Sequence, residues 1–177
     1  MRVLVIYESM YGNTRAIAEA IGSSLGTEAD VVPVREASPE RVAVADLLVV
    51  GGPTHIRGMS RPSSRKAARD AASKPDSTVS LEPGADGTGL REWFADLGTL
   101  SCRAAAFDTR VDMPAIVSGR AASHIARLLR RHGAQLVTPP RSFVVDKQNR
   151  LLDGEQVRAR LWGEDLARAV RSVANTS

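Results

Sequence analysis

Val3-Leu4-Val5-Ile6-Tyr7-Glu8-Ser9-Met10-Tyr11-Gly12-Asn13-Thr14 stands at the start of the chain and decides how the rest is read. Arg2 to Tyr7 predicts the first strand, a short β-branched run that is apolar from Val3 onward, the pattern of a strand buried on both faces of a parallel sheet. From Thr14 to Leu25, Ile17, Ala20, Ile21 and Leu25 recur at helical spacing, and Gly26 supplies the stop. Between strand and helix lies a hydroxyl-rich turn with one glycine, Glu8 to Thr14. Such a turn has the outline of a phosphate cradle. The helix start offers unpaired N–H groups and the positive end of the helix dipole, and Ser9, Asn13 and Thr14 can add hydrogen bonds. The same residues also read as an ordinary capped helix, with Asn13 or Thr14 as the cap. Neither GxxxxGK[ST] nor GxGxxG is present, which disfavours a P-loop nucleotidase and a dinucleotide fingerprint.

Outward from this unit the chain keeps alternating. Glu28 to Val34 predicts a second strand, Ser38 caps a short helix through Ala45, and Leu47 to Val50 predicts a third strand ending at Gly51-Gly52. Helices are expected over Arg61 to Ala72 and Leu90 to Leu97, flanking a Ser/Pro/Asp/Gly-rich loop from Ser73 to Gly87 that reads equally as a flap near a site or as an insertion. Cys102 to Phe107 predicts a strand, Ser118 to His132 a helix, Gln135 to Val137 and Ser142 to Val145 further strands, and Asp153 to Ala174 the last helix. Strands alternating with helices make an α/β, doubly wound parallel sheet, whose ligands bind beyond the strand C-termini. With 177 residues and no composition shift that would split the chain, one domain over 1–177 is expected.

Composition narrows the function classes. Hydrophobic residues make up 43% and charged residues 25%, the balance of a soluble globular chain. No apolar run approaches the ~20 residues of a membrane span, and the short N-terminal run lacks the features of a signal peptide, so a cytoplasmic protein without membrane partners is expected. The net charge is +4, but the arginines are interleaved with acids and alanines, as in Gly154 to Val173, and aromatics are only 4%. That is the pattern of solvated helix faces, and nucleic-acid binding is not expected. Cys102 is the lone cysteine, read as a small buried hydrophobe, which leaves no disulfide framework and no multi-cysteine metal site. His55, His124 and His132 are scattered, the last two reading as solvated helix residues, and no catalytic triad, carboxylate pair or metal box stands at useful spacing.

The opening strand followed by Ser9-Met10-Tyr11-Gly12-Asn13-Thr14 resembles the start of flavodoxins and flavodoxin-like proteins, and the order of elements follows that family over nearly the whole chain. The resemblance implies a flavodoxin-like, five-stranded, three-layer α/β/α fold in which this loop holds the phosphate of FMN. Gly51-Gly52-Pro53-Thr54-His55-Ile56-Arg57-Gly58-Met59-Ser60 matches in place the family loop that lies against the flavin ring, and is similar to the GTPTRFGNM stretch of flavodoxin-like NAD(P)H:quinone reductases. Gly-Pro-Thr and Met59 agree; the ring-stacking aromatic does not, and His55 could cover part of the ring in its stead or be a surface loop residue. Phe107-Asp108-Thr109-Arg110 falls where the family has its second flavin-contacting loop, again without the customary tyrosine. Phe107 reads as core or as a ring contact, and Asp108 with Arg110 as ligand contacts or a local ion pair.

FMN is expected over FAD or NAD, because only one phosphate cradle is present. A bound flavin would perform the redox step, with the protein supplying position and electrostatics. Arg57, Arg61, Arg65 and Arg110 near the ring would favour an anionic reduced flavin and attract NADPH phosphates or a quinone oxygen. The leading expectation is thus an FMN-dependent oxidoreductase with a small-molecule or protein electron donor and acceptor, NAD(P)H and a quinone among them. The alternatives are a flavodoxin-fold binding module that has lost flavin and a small electron carrier.

Overall fold

The computed structural model describes residues 1–26, 29–55, 58–114 and 119–174. In chain order the elements are β1 (Val3–Tyr7), α1 (Asn13–Ser24), β2 (Ala29–Pro33), a 3-10 turn (Val34–Glu36), α2 (Pro39–Ala43), β3 (Leu47–His55), β4 (Gly58–Met59), α3 (Pro62–Ala72), α4 (Leu90–Asp96), β5 (Arg103–Val111), α5 (Ala121–Arg131), β6 (Gln135–Leu136), β7 (Arg141–Val145) and α6 (Glu155–Ala174). The main strands run in parallel in the order β2-β1-β3-β5-β6, with β7 also paired to β5.

The sheet has seven strands where five were expected, and two local causes account for the difference. β4 is a two-residue antiparallel return on the end of β3, pairing Thr54 with Met59 and His55 with Gly58. The outermost position is filled twice, by β6 against Arg103 and Ala104 and by β7 from Phe107 onward. Thr138-Pro139-Pro140 separates them, since proline has no N–H to give to a ladder.

Alternate residues of each strand feed two cores. Leu4, Ile6, Leu48, Val50, Ala104 and Ala106 pack with Trp93 and Phe94 of α4 and Ile125 and Leu129 of α5. Val3, Val5, Leu47, Val49 and Ala105 face Ile17 and Ile21 of α1 and Trp162 and Leu166 of α6. Both faces being covered is why these strands read as continuous apolar runs. Phe107, Phe143 and Trp162 meet edge to face with centroids 6.1 to 6.3 Å apart. The Phe107 ring lies directly on Gly51, where an added Cβ would stand 2.1 Å from it, so this contact requires glycine. Truncating such a buried ring to alanine costs ~3–5 kcal/mol. Cys102 is only half-buried, packed against the edge of the first core.

β3 and β5 both outrun their expected ends, because pairing continues through Gly51–Phe107, Gly52–Asp108 and Pro53–Thr109. The extension carries polar residues past the apolar strand centres to the C-terminal end of the sheet, beside the loop after β1.

Candidate functional site

A narrow cleft opens at that end of the sheet. Of the residues expected there, Ser9, Met10, Tyr11, Asn13, Thr14, Pro53, Thr54, His55, Thr109 and Arg110 line it. Gly12 turns the chain into α1 with φ of 90°, left-handed backbone that favours glycine, and its N–H donates to Ser9 Oγ at 3.1 Å. No side chain caps α1 and its first turn holds no acid, so neither Asn13 nor Thr14 is the helix cap that the sequence allowed. Asn13 Nδ2 donates instead to the Asn149 carbonyl at 2.7 Å. Thr14 Oγ1 and Thr109 Oγ1 share a buried hydrogen bond of 2.7 Å, pinning the loop after β1 to β5. Met10 is buried on Ala68 and Ala85, Tyr11 donates its hydroxyl to the Ala68 carbonyl at 3.2 Å, and Glu82 donates its N–H to the Met10 carbonyl at 2.8 Å. The Ser73 to Gly87 segment thus lies against the loop after β1, with Glu82 ion-paired to Arg15 at 3.1 Å.

Three expected ligand contacts fall elsewhere. Phe107 is fully buried and belongs to the core, because its side of β5 faces α6. Asp108 is also fully buried: Oδ2 accepts from Ala122 N at 2.8 Å and from Thr54 Oγ1 at 3.0 Å. Thr54 Oγ1 in turn accepts from Ala121 N at 2.9 Å, so the two side chains together cap α5. Burial holds the Asp108 carboxyl above the usual carboxylate range, with the Ala122 N–H the strongest opposing influence. Gly58 sits in β4 beside a second cavity, while Ile56 and Arg57 lie outside the described residues.

Among the described arginines expected near a ring, Arg110 alone lines the cleft; its guanidinium donates to the Val111 and Met113 carbonyls. Arg65 is buried, donating to Ser60 Oγ at 3.1 Å and paired with Glu92 at 3.1 Å. Neither His124 nor His132 is simply solvated. His124 borders the second cavity, and the His132 ring stacks on Phe94 at 5.9 Å.

Sequence reasoning missed Val111, Val145 and Asn149, which complete the cleft. Their signal was available: β7 runs parallel to β5, so the polar turn that follows it must land at the same end of the sheet. His55 Nε2 is buried without a partner, and burial pushes the imidazole pKa down, Arg65 adding to the effect. Among the described residues no group of three or more metal-ligating side chains comes together, and no helix is long and apolar enough to cross a membrane.

Strand order, helix placement and a cleft at the strand ends define a flavodoxin-like fold, and comparison with known proteins agrees. The flavodoxin domain family profile matches residues 4–65. A flavodoxin from Aquifex aeolicus is 42% identical over 59 residues, 31% of this chain and 32% of that protein, so the alignment spans about a third of the relative. The structure of an archaeal flavodoxin superposes with a TM-score of 0.65 at 22% identity, covering 97% of this chain and 99% of that one. A flavodoxin, WrbA-like protein from Agrobacterium tumefaciens superposes with a TM-score of 0.60 at 18% identity, covering 97% and 98%. The chain is therefore flavodoxin-like in fold over nearly its whole length, and its first third is similar in sequence to the flavodoxin domain.

Proposed function

We propose that the chain binds FMN in this cleft and works by electron or hydride transfer through it. The observation that carries the reading is the start of α1: an uncapped helix without an acid in its first turn, opening beside Ser9 and Asn13. Orphan N–H groups and the helix dipole together favour an anion there. The enclosed space is about 60 Å³, far below the ~300 Å³ at which small-molecule pockets begin, so it suits the phosphate end of a flavin nucleotide and leaves the rest at the surface. A flavin, when bound, supplies the one- and two-electron chemistry. The chain's own contribution is positional. Thr14 and Thr109 lock the cradle to β5, and His55 lines the cleft with its imidazole pKa pushed down by burial. Arg110 adds the positive charge that suits an anionic reduced ring, which favours an oxidoreductase acting on an acceptor such as a quinone over a strongly reducing carrier.

Calorimetry with FMN and riboflavin tests the reading. FMN should bind at least tenfold more tightly, about 1.4 kcal/mol, and Asn13→Leu should weaken FMN while the thermal transition stays in place. Equal affinity for the two ligands would remove the cradle from the argument. A purified chain that neither carries nor takes up a flavin absorbing near ~450 nm would favour a binding module that has lost its cofactor, the reading that the absence of a ring-stacking aromatic supports.

A further inference from the structure

His55 also borders a second and larger cavity, about 540 Å³, walled by β4, the start of α3, α4 and one face of α5. This volume lies within the ~300–1,000 Å³ range of small-molecule sites. Its walls carry Arg61, Arg91, Arg127 and Arg131 together with His55 and His124, and no carboxylate. Several arginines outside the basin are neutralised locally, as Arg69 is by Asp86 at 3.1 Å and Arg41 by Asp30 at 3.3 Å. Among the described residues none of the four basin arginines is salt-bridged. Gathering like charges costs Coulomb energy, roughly 1 kcal/mol per pair at 4 Å even in water, and an anion would offset it. Arg91 is already oriented, its Nε donating to the Ser60 carbonyl at 2.8 Å and Nη2 to the Met59 carbonyl at 3.3 Å. His55 and His124, which line the cavity, each hold one buried ring nitrogen without a partner, Nε2 and Nδ1.

We propose that this basin binds the pyrophosphate group of a small nucleotide. Two phosphates offer several charged acceptors, which guanidinium forks meet in bidentate fashion. A concave chamber of this size with four arginines on its walls suits a small anion better than the face of an acidic protein. The source of the pyrophosphate is either a free nucleoside diphosphate or a reduced nicotinamide dinucleotide, and the site stands whether or not the neighbouring cleft takes a flavin.

Titration calorimetry of the full chain with inorganic pyrophosphate, ADP and NADPH tests it, each with and without saturating FMN. Pyrophosphate should bind with one-to-one stoichiometry and weaken as salt rises. Arg127→Ala and Arg131→Ala, both on the exposed side of α5, should each weaken it about tenfold. Asn13→Ala, in the other cleft, should leave it unchanged. NADPH binding more tightly than ADP names the dinucleotide as the source; ADP equal or tighter names the free nucleotide. The proposal is overturned if none of the three probes binds at about 1 mM, if the Arg127→Ala/Arg131→Ala double variant binds as the wild type does, or if Asn13→Ala alone abolishes binding. Failure of FMN to bind while pyrophosphate binding remains sensitive to the arginines would undo the flavin reading and keep this one.

Discussion

Glu8 and Asp108 stand at the same end of the sheet on either side of β3, and both carboxylates are buried. Each reaches the start of a helix: Glu8 Oε2 accepts from Leu90 N at 2.8 Å, and Asp108 Oδ2 from Ala122 N at 2.8 Å. Both acids are pushed above the usual carboxylate range, chiefly by burial. Their company differs. Glu8 accepts the Ser60 hydroxyl and lies close to buried Arg65, which also engages Ser60 and Glu92. Asp108 is met by the Thr54 hydroxyl, and Arg110 is the cation that acts on it. A helix start can thus be held by a charged cluster or by a hydroxyl and a lone carboxylate, and the two should fail differently because only the first leaves a buried guanidinium behind.

The largest expected effect comes from removing each carboxylate. Glu8→Ala should cost about 3 kcal/mol, since it strands Arg65, Ser60 and the Leu90 N–H together. Asp108→Ala should cost about 2 kcal/mol, the worth of a helix cap with its buried neighbours. Urea titration measures both; a costlier Asp108→Ala would show that charge is not what separates the two sites.

A smaller effect sharpens the comparison through pH. An acid whose pKa rises on folding binds more protons folded than unfolded, so its contribution is fully present below its ordinary value and is lost as pH climbs through the raised one. Those ordinary values are 4.5 for Glu8 and 3.8 for Asp108. The unfolding midpoint should therefore fall as pH rises from about 4. Glu8→Gln and Asp108→Asn should each flatten that decline, because the amide oxygen still accepts the helix N–H without carrying charge. A decline equally steep in both amides would assign it to other groups.

Arg110→Gln should have the smallest effect on stability, a few tenths of a kcal/mol. By removing the cation that opposes the burial of Asp108 it should steepen the pH dependence slightly. With FMN bound it should also lower the midpoint potential; an effect of ~1 kcal/mol corresponds to roughly 40 mV for one electron. An unchanged potential would leave Arg110 as a clamp on the Val111 and Met113 carbonyls alone.

Much of this architecture was legible because burial on two faces writes itself into a strand as an unbroken apolar run. β1 and the apolar first half of β3 were read to within a residue. Their polar extensions were not, since Gly51 to His55 and Asp108 to Val111 read as turn residues until cross-strand pairing is known. The turn into α1 was legible in Ser9 to Thr14 because its signal is local. Which hydroxyls are already used is not local: Thr14 finds its partner Thr109 across two strands. For the same reason Asp108 looked like a ligand contact, although it belongs to α5. The arginine basin was invisible, because its charges come from three separated segments.

The interruption at Thr138-Pro139-Pro140 has a consequence beyond the strand count. An outermost strand ordinarily offers a row of free donors and acceptors on which another molecule can grow. Here two successive prolines offer no donor between β6 and β7. Farther along, Val144 spends its N–H on Glu155 Oε2 at 2.8 Å and its carbonyl on Leu152 N at 3.2 Å. Val145 is bridged to Leu151. The β6/β7 margin of the sheet is thus partly closed by its own sequence, so recruitment of a neighbouring chain into a continuous ribbon is discouraged along that edge.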